Sequence, residues 1–105
     1  MFQQYFVEFF GTLFFVYVIL ATGNPLAIGA SLALVLLLIR NVSGGFMNPA
    51  VTIALSSAGQ LPSSEIIPYC LAEIFGALVA LEIYKRVGSP DSSFSFGSIT
   101  QGGKK

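Results

Sequence analysis

Ser43-Gly44-Gly45-Phe46-Met47-Asn48-Pro49-Ala50-Val51-Thr52 is the stretch on which this sequence turns. It lies between two long apolar segments, and its residue types specify backbone shape. Glycine reaches dihedrals closed to other residues, so Gly44 and Gly45 predict an irregular loop. Asn48 is a good N-cap, and Pro49 suits the first helical position, where its missing N–H costs nothing. Residues 48–58 then read as a short helix with Gly59 as its C-terminal stop. At 1.5 Å rise per residue this helix covers about 15 Å, roughly half the hydrocarbon thickness of a bilayer. A half-length helix preceded by irregular backbone is tolerated at membrane depth only where protein buries it or a wet cavity meets it. The stretch therefore predicts a re-entrant half-helix and, beside it, a pore or binding site.

Working outward, the composition sets the class. The 105 residues are 54% hydrophobic and 10% charged, with a mean hydropathy of +0.80. Soluble domains carry about 25% charged residues, so this is an all-α membrane protein by composition, with room for one domain. Net charge is zero and no basic run interrupts the apolar body, which argues against nucleic acid as a partner and leaves membrane lipid. Cys70 is the single cysteine, excluding an intrachain disulfide and a cysteine-based zinc site. Histidine, the commonest general base and metal ligand, is missing altogether. With no cofactor motif and no clustered nucleophile either, neither an enzyme nor a bound cofactor is expected.

Three long apolar segments flank the central stretch. The first, residues 5–21, follows Met1 closely without a basic leader or an obvious cleavage site, and reads as a retained span. It carries Glu8 and Thr12 one helical turn apart. A carboxylate inside a span costs about 2.5–3.5 kcal/mol at the centre and usually faces protein or water. Glu8 is close enough to the start to snorkel to the interface; the alternative is a partner among backbone N–H groups inside the bundle. Thr22-Gly23-Asn24-Pro25 is a tight turn by composition. The second span, residues 25–40, has a small-residue patch at Gly29, Ala30, Ser31 and Ala33 and is expected to end at Arg40, at a water boundary. The third, residues 64–86, is expected to be capped by Ser63 or Ser64 and closed by Lys85 and Arg86. Glu73 lies mid-span, near the small face of Gly76, Ala77 and Ala80. Residues 1–87 are thus expected to form one membrane domain of three spans and a short helix. Residues 88–105 form a Ser/Gly-rich flexible tail, or a loop of a longer chain.

These residues resemble the first half of a member of the major intrinsic protein family, the aquaporins and glycerol facilitators. Glu8-Phe9-Phe10-Gly11-Thr12 resembles the family's opening E-F-x-G-T, and Asn24 to Gly29 the start of its second helix. Ser43 to Thr52 is similar to its first N-P-A pore signature, and Tyr69 to Ala77 to its third helix. The resemblance implies two inverted three-span halves, each with one re-entrant half-helix, whose N-termini meet at mid-membrane, and it implies that residues 1–87 are one such half-channel. It implies that Asn48 donates its amide N–H to passing solute, with Pro49 and Ala50 shaping the turn. It also implies that the carbonyls of Gly44, Gly45, Phe46 and Met47 line the wet side of the pore. Glu8 would accept from the loop's backbone, Glu73 would support the loop, and Ile28 and Val51 would be the selectivity-filter candidates.

Departures from the family pattern bear on what passes. No arginine follows Ala50, because Val51 stands there. Phe46 replaces the usual histidine, Glu73 the usual glutamine and Arg40 the usual glycine. Together they weigh against ordinary water selectivity. Three spans and one half-helix cannot enclose a family-type pore, so a second copy or another aquaporin-like half is expected as partner. The leading function is a passive channel subunit for water or small neutral solutes such as glycerol. The alternative is a truncated, non-conducting membrane protein that interacts with full-length relatives. A proton-coupled carrier would lean on Glu73, whose plainer role is hydrogen-bonded packing in the place of glutamine. Flanking charge is nearly balanced, with Arg40 on one side against Lys85 and Arg86 on the other, which suits insertion in both orientations and pairing as an inverted repeat. Reporters fused to the C-terminus are then expected on both sides of the membrane, with added lysines near Met1 shifting the distribution. A single orientation with no co-purifying partner would contradict that expectation.

Overall fold

The computed structural model describes residues 2–88, in which four α-helices follow one another with short connections. Three are long and apolar enough to cross a membrane: α1 (Gln3–Thr22), α2 (Pro25–Ser43), and α4 (Ile66–Ile83) with the turns that flank it. The fourth, α3 (Pro49–Ser57), has nine residues. Apart from Gly88, the segment expected to be a flexible tail lies outside the described residues.

The turn between α1 and α2 is built from the residue types that predicted it. Gly23 takes the left-handed conformation (φ 57°) and returns its N–H to the Ile19 carbonyl at 3.0 Å. Asn24 is extended and accepts from the Ala27 N–H at 3.0 Å, while Pro25 opens the helix. Only Gly23 and Asn24 separate the helices, so α1 and α2 must return antiparallel against each other. α2 does not stop at Arg40 but continues to Ser43. A cation in the last turn favours the helix, since it faces unsatisfied carbonyls. What ends α2 is Gly44, left-handed at φ 95° and bonded to the Arg40 carbonyl.

After α3 the chain reverses tightly. Gly59 (φ 86°) donates to Ser56, Gln60 to Leu55, and the Ser56 hydroxyl reaches the Leu61 carbonyl at 2.8 Å. Neither Ser63 nor Ser64 caps α4 with its side chain. Both lie in a 3₁₀ turn, Ser63–Glu65, which feeds the helix directly. There Glu65 is held from α1, accepting from the Tyr5 hydroxyl at 2.5 Å.

α1 is the shared wall, packing against α2 on one side and α4 on the other, while α3 packs on α4. Glycines set how closely the walls approach. A Cβ on Gly76 would run into the backbone carbonyl of Phe9, so α4 and α1 touch main chain to main chain. A Cβ on Gly11 would lie 2.8 Å from Val35 Cγ1 and 3.0 Å from Met47 Sδ. Small residues at such crossings are what helix association in lipid relies on, because apolar burial gives no driving force between helices there. The outer surface matches a lipid solvent: Phe6, Phe10, Leu37, Leu38, Ile67 and Phe75 are among its exposed residues.

Gly76→Val is expected to lower the thermal midpoint in detergent by forcing α1 and α4 apart. Gly29→Ala, at a position with nothing within 4 Å, is expected to leave it unchanged or raise it.

Candidate functional site

The loop between α2 and α3, residues 44–48, is irregular backbone, and buried polar groups hold it. Glu8 does not snorkel. It is 0% exposed, and both carboxylate oxygens accept from the loop. Oε2 takes the Ser43 hydroxyl at 2.6 Å and the Phe46 N–H at 2.9 Å; Oε1 takes the Met47 N–H at 2.7 Å. One turn along α1, the Thr12 hydroxyl donates to the Met47 carbonyl at 3.3 Å. The Gly45 N–H donates to the Ser43 oxygen at 3.1 Å, and the Tyr69 hydroxyl on α4 reaches the Ser43 carbonyl at 2.8 Å. The loop's backbone is thus bonded from α1 and from the end of α2, and α4 holds that end through Tyr69. Unpaired, each buried amide would cost about 1–3 kcal/mol.

The loop side chains act as two wedges. Met47 packs with Val35 and Ile39, and Phe46 with Leu61 and Tyr69. Met47 takes φ 66°, a left-handed conformation that a non-glycine residue holds at a cost of about 1–2 kcal/mol. Bonds on both its N–H and its carbonyl keep it there.

This turn sets Asn48 at the head of α3. Its backbone is extended (φ −152°, ψ 128°), its carbonyl accepts from the Thr52 N–H, and its Oδ1 accepts from the Ala50 N–H at 2.7 Å. With Oδ1 engaged by the helix, the donor half of the amide is what this exposed residue can offer a solute. Pro49 occupies the first helical position, as its geometry favours. Thr52, fully buried, is tied to α4: its hydroxyl lies 3.0 and 2.8 Å from the two oxygens of Glu73, itself 1% exposed. The carboxyls of Glu8 and Glu73 are neighbours, so two acidic groups stand behind the positive end of α3.

A cleft of about 350 Å³ opens beside this helix terminus, lined by Thr12, Phe15, Met47, Asn48, Glu73 and Ala77 among others. Ile28 and Val51 do not line it. Ile28 is half-buried near the start of α2, and Val51 on α3 is 40% exposed. Ala50 is exposed, as is Gly44, whereas Gly45, Phe46 and Met47 are buried. Sequence reading did not single out Ser43, Thr52 or Tyr69 for the site. Their signal was available, since a buried hydroxyl in an apolar segment needs a partner.

Three membrane-length apolar helices define an integral, multi-pass membrane protein. The family model described as Major intrinsic protein matches residues 23–102. The chain is similar to aquaporin Z of Brucella melitensis biotype 1, 34% identical over 91% of this chain and 49% of that protein. It is also similar to aquaporin Z of Bradyrhizobium diazoefficiens, 36% identical over 76% of this chain and 32% of that protein. No solved structure gives a significant match. The chain belongs to the major intrinsic protein family, and spans about half or less of the length of these curated relatives.

Removing Glu8 leaves the Phe46 and Met47 amides without acceptors and leaves the Ser43 hydroxyl only the Ile39 carbonyl at 3.5 Å. Glu8→Ala is expected to destabilise the protein in detergent by several kcal/mol, at about 1–3 kcal/mol per orphaned group. Glu8→Gln, which keeps one acceptor oxygen but sets an NH₂ against an N–H donor, is expected to fall between. Equal midpoints for all three proteins would show that the loop does not depend on Glu8.

Proposed function

We propose that this chain is a subunit of a passive channel for water or small neutral solutes such as glycerol, its pore completed by a second inverted half from the same or another chain. The observation that carries the reading is Asn48. It stands at the N-terminus of a nine-residue helix, with its acceptor engaged by the helix and its donor free for a solute. In this reading α3 is re-entrant: the loop descends from the end of α2 and α3 climbs back toward the same face. Its length, about 14 Å at 1.5 Å per residue, suits half a bilayer.

A helix N-terminus carries the equivalent of about half a positive charge, and two of them meeting at mid-depth would repel cations while neutral solutes pass. Gly44 to Met47 would offer carbonyls to the solute, and Glu8 and Glu73 would hold the loop and α3 in place. No group is oxidised, transferred or cleaved in such passage. Membership of the family and the similarity to proteins named aquaporin Z support the channel reading. The alternative reading is a membrane protein that associates with full-length relatives without conducting.

Selectivity follows from Val51 and Ile28. In a symmetric pair both occur twice, lining the constriction with aliphatic side chains and no fixed cation. A water molecule there loses hydrogen bonds, each deficit worth about 1–3 kcal/mol, and an apolar ring can also dewet. Osmotic shrinkage of liposomes holding the purified protein should show slow water flux and better relative passage of glycerol. Asn48→Ala should reduce both. Val51→Arg should change the ratio of water to glycerol permeability. Liposomes no leakier than protein-free ones would favour the non-conducting reading. An unchanged ratio in a conducting Val51→Arg protein would remove Val51 from the constriction.

A further inference from the structure

Two buried acids meet beneath the loop with no cation beside them. α1 and α4 touch main chain to main chain where Gly76 meets the Phe9 carbonyl. Glu8 precedes Phe9, and Glu73 lies one turn before Gly76, so the two carboxyls face each other across this crossing, within hydrogen-bonding reach. Glu8 is 0% and Glu73 1% exposed. The elements packed around them supply no neutralising charge. On α1, α4 and the turn before α4, the other titratable groups near the pair are Tyr5, Glu65, Tyr69 and Cys70, none of them basic. The Tyr69 hydroxyl is taken up by the Ser43 carbonyl and that of Tyr5 by Glu65. The loop and α3 contain no charged residue, and Arg40, the one cation of α2, is exposed. Lys85 and Arg86 pair with Glu82 at the far end of α4.

A carboxylate that has lost its proton only accepts hydrogen bonds, so two such groups in contact have nothing to share. Like charges side by side in a buried site, with no cation to offset them, cannot both persist. We propose that Glu8 and Glu73 hold one proton between them, Glu73 donating to Glu8, and that this bond is a proton-operated latch beneath the loop. Glu73 then donates with one oxygen and keeps the other to accept from Thr52. Glu8 gains a fourth donor beside Ser43, Phe46 and Met47. The latch joins the two anchors of the site. Asn48 lies between Met47, which Glu8 holds, and Thr52, which Glu73 holds. Loss of the proton sets two negative charges together, drives the anchors apart and disturbs the placing of Asn48. The proton is stored, not carried across, and the latch does not depend on whether the cleft conducts. In its plainer role Glu73 is a packing residue that accepts from Thr52, and no proton is shared.

Infrared spectra in dodecyl maltoside, a detergent without ester carbonyls, read the proton directly. At neutral pH the wild-type protein should show the C=O stretch of a buried protonated carboxyl. Glu73→Gln should abolish that band, and Glu65→Gln and Glu82→Gln should leave it in place. Glutamine keeps a donor for Glu8 and an acceptor for Thr52 but has no proton to lose. Stability supplies the second readout. In the unfolded chain both carboxyls are ionised at neutral pH, whereas the native pair binds one proton more, so raising the pH favours unfolding. In mixed micelles with sodium dodecyl sulfate the wild-type folding constant should fall about tenfold per pH unit relative to that of Glu73→Gln, until the pair itself ionises. Past that point the band should be gone and the two slopes alike. A wild-type protein without the band at neutral pH, a band that survives Glu73→Gln, or equal slopes throughout would each overturn the latch. If Glu73→Gln does not fold, the wild-type protein decides. A slope that ends at the pH where the band disappears supports the latch, and a slope unrelated to that pH overturns it.

Discussion

A single buried carboxylate organises the site. Glu8 accepts two loop N–H groups and a hydroxyl with its two oxygens, from a position on α1 that lipid and water do not reach. In hydrocarbon an unpaired amide has no water to turn to, so irregular backbone between membrane-length helices needs an internal acceptor. A carboxyl group suits the task, because its two oxygens can accept from several donors at once. Each partner also answers the other's problem: the loop satisfies a polar group that would be expensive inside a span, and the carboxyl satisfies donors that the loop cannot pair by itself.

The rest of the site follows from that anchoring. With Phe46 and Met47 fastened on α1, their side chains wedge into separate apolar clusters, and the chain leaves Met47 in a left-handed turn. The turn sets Asn48 extended at the head of α3, where its side chain closes the helix N-terminus. Thr52 and Glu73 then pin the first turns of α3 to α4. α1 and α4 meet at Gly76 and the Phe9 carbonyl, so loop and short helix are carried by walls in direct contact. The short helix is too brief to be stable alone, and its order comes from these attachments.

Among the described residues, several polar side chains of the long helices and of α3 are consequently inside while many large apolar ones are outside, the reverse of a soluble domain. Glu8, Thr12, Ser31, Ser43, Thr52 and Glu73 are buried, while phenylalanines and leucines of all three long helices are exposed. Two of the family-pattern departures fall on different parts of this interior. Phe46 takes part in an apolar cluster against Tyr69, and Glu73 forms the tie to Thr52. Arg40, a third, stays on the surface at the end of α2.

By itself the sequence determined the three spans, the tight Gly23-Asn24 turn, the Asn48–Pro49 helix start and the family. Each is a local property: apolar run length, a glycine able to take positive φ, a cap followed by proline. Tertiary structure decided what local pattern leaves open. Glu8 had two readings, because one carboxylate near a span's end can reach water or protein, and only the position of the loop distinguishes them. Arg40 looked like the end of α2, yet a cation is welcome in a last turn and the left-handed Gly44 three residues after Asn41 is the stop. The serines before α4 looked like caps, but the chain enters through a 3₁₀ turn and leaves their side chains unused. The partners of Ser43, Thr52 and Tyr69 are set by how α1, the loop, α3 and α4 come together, and no spacing along the chain encodes that meeting.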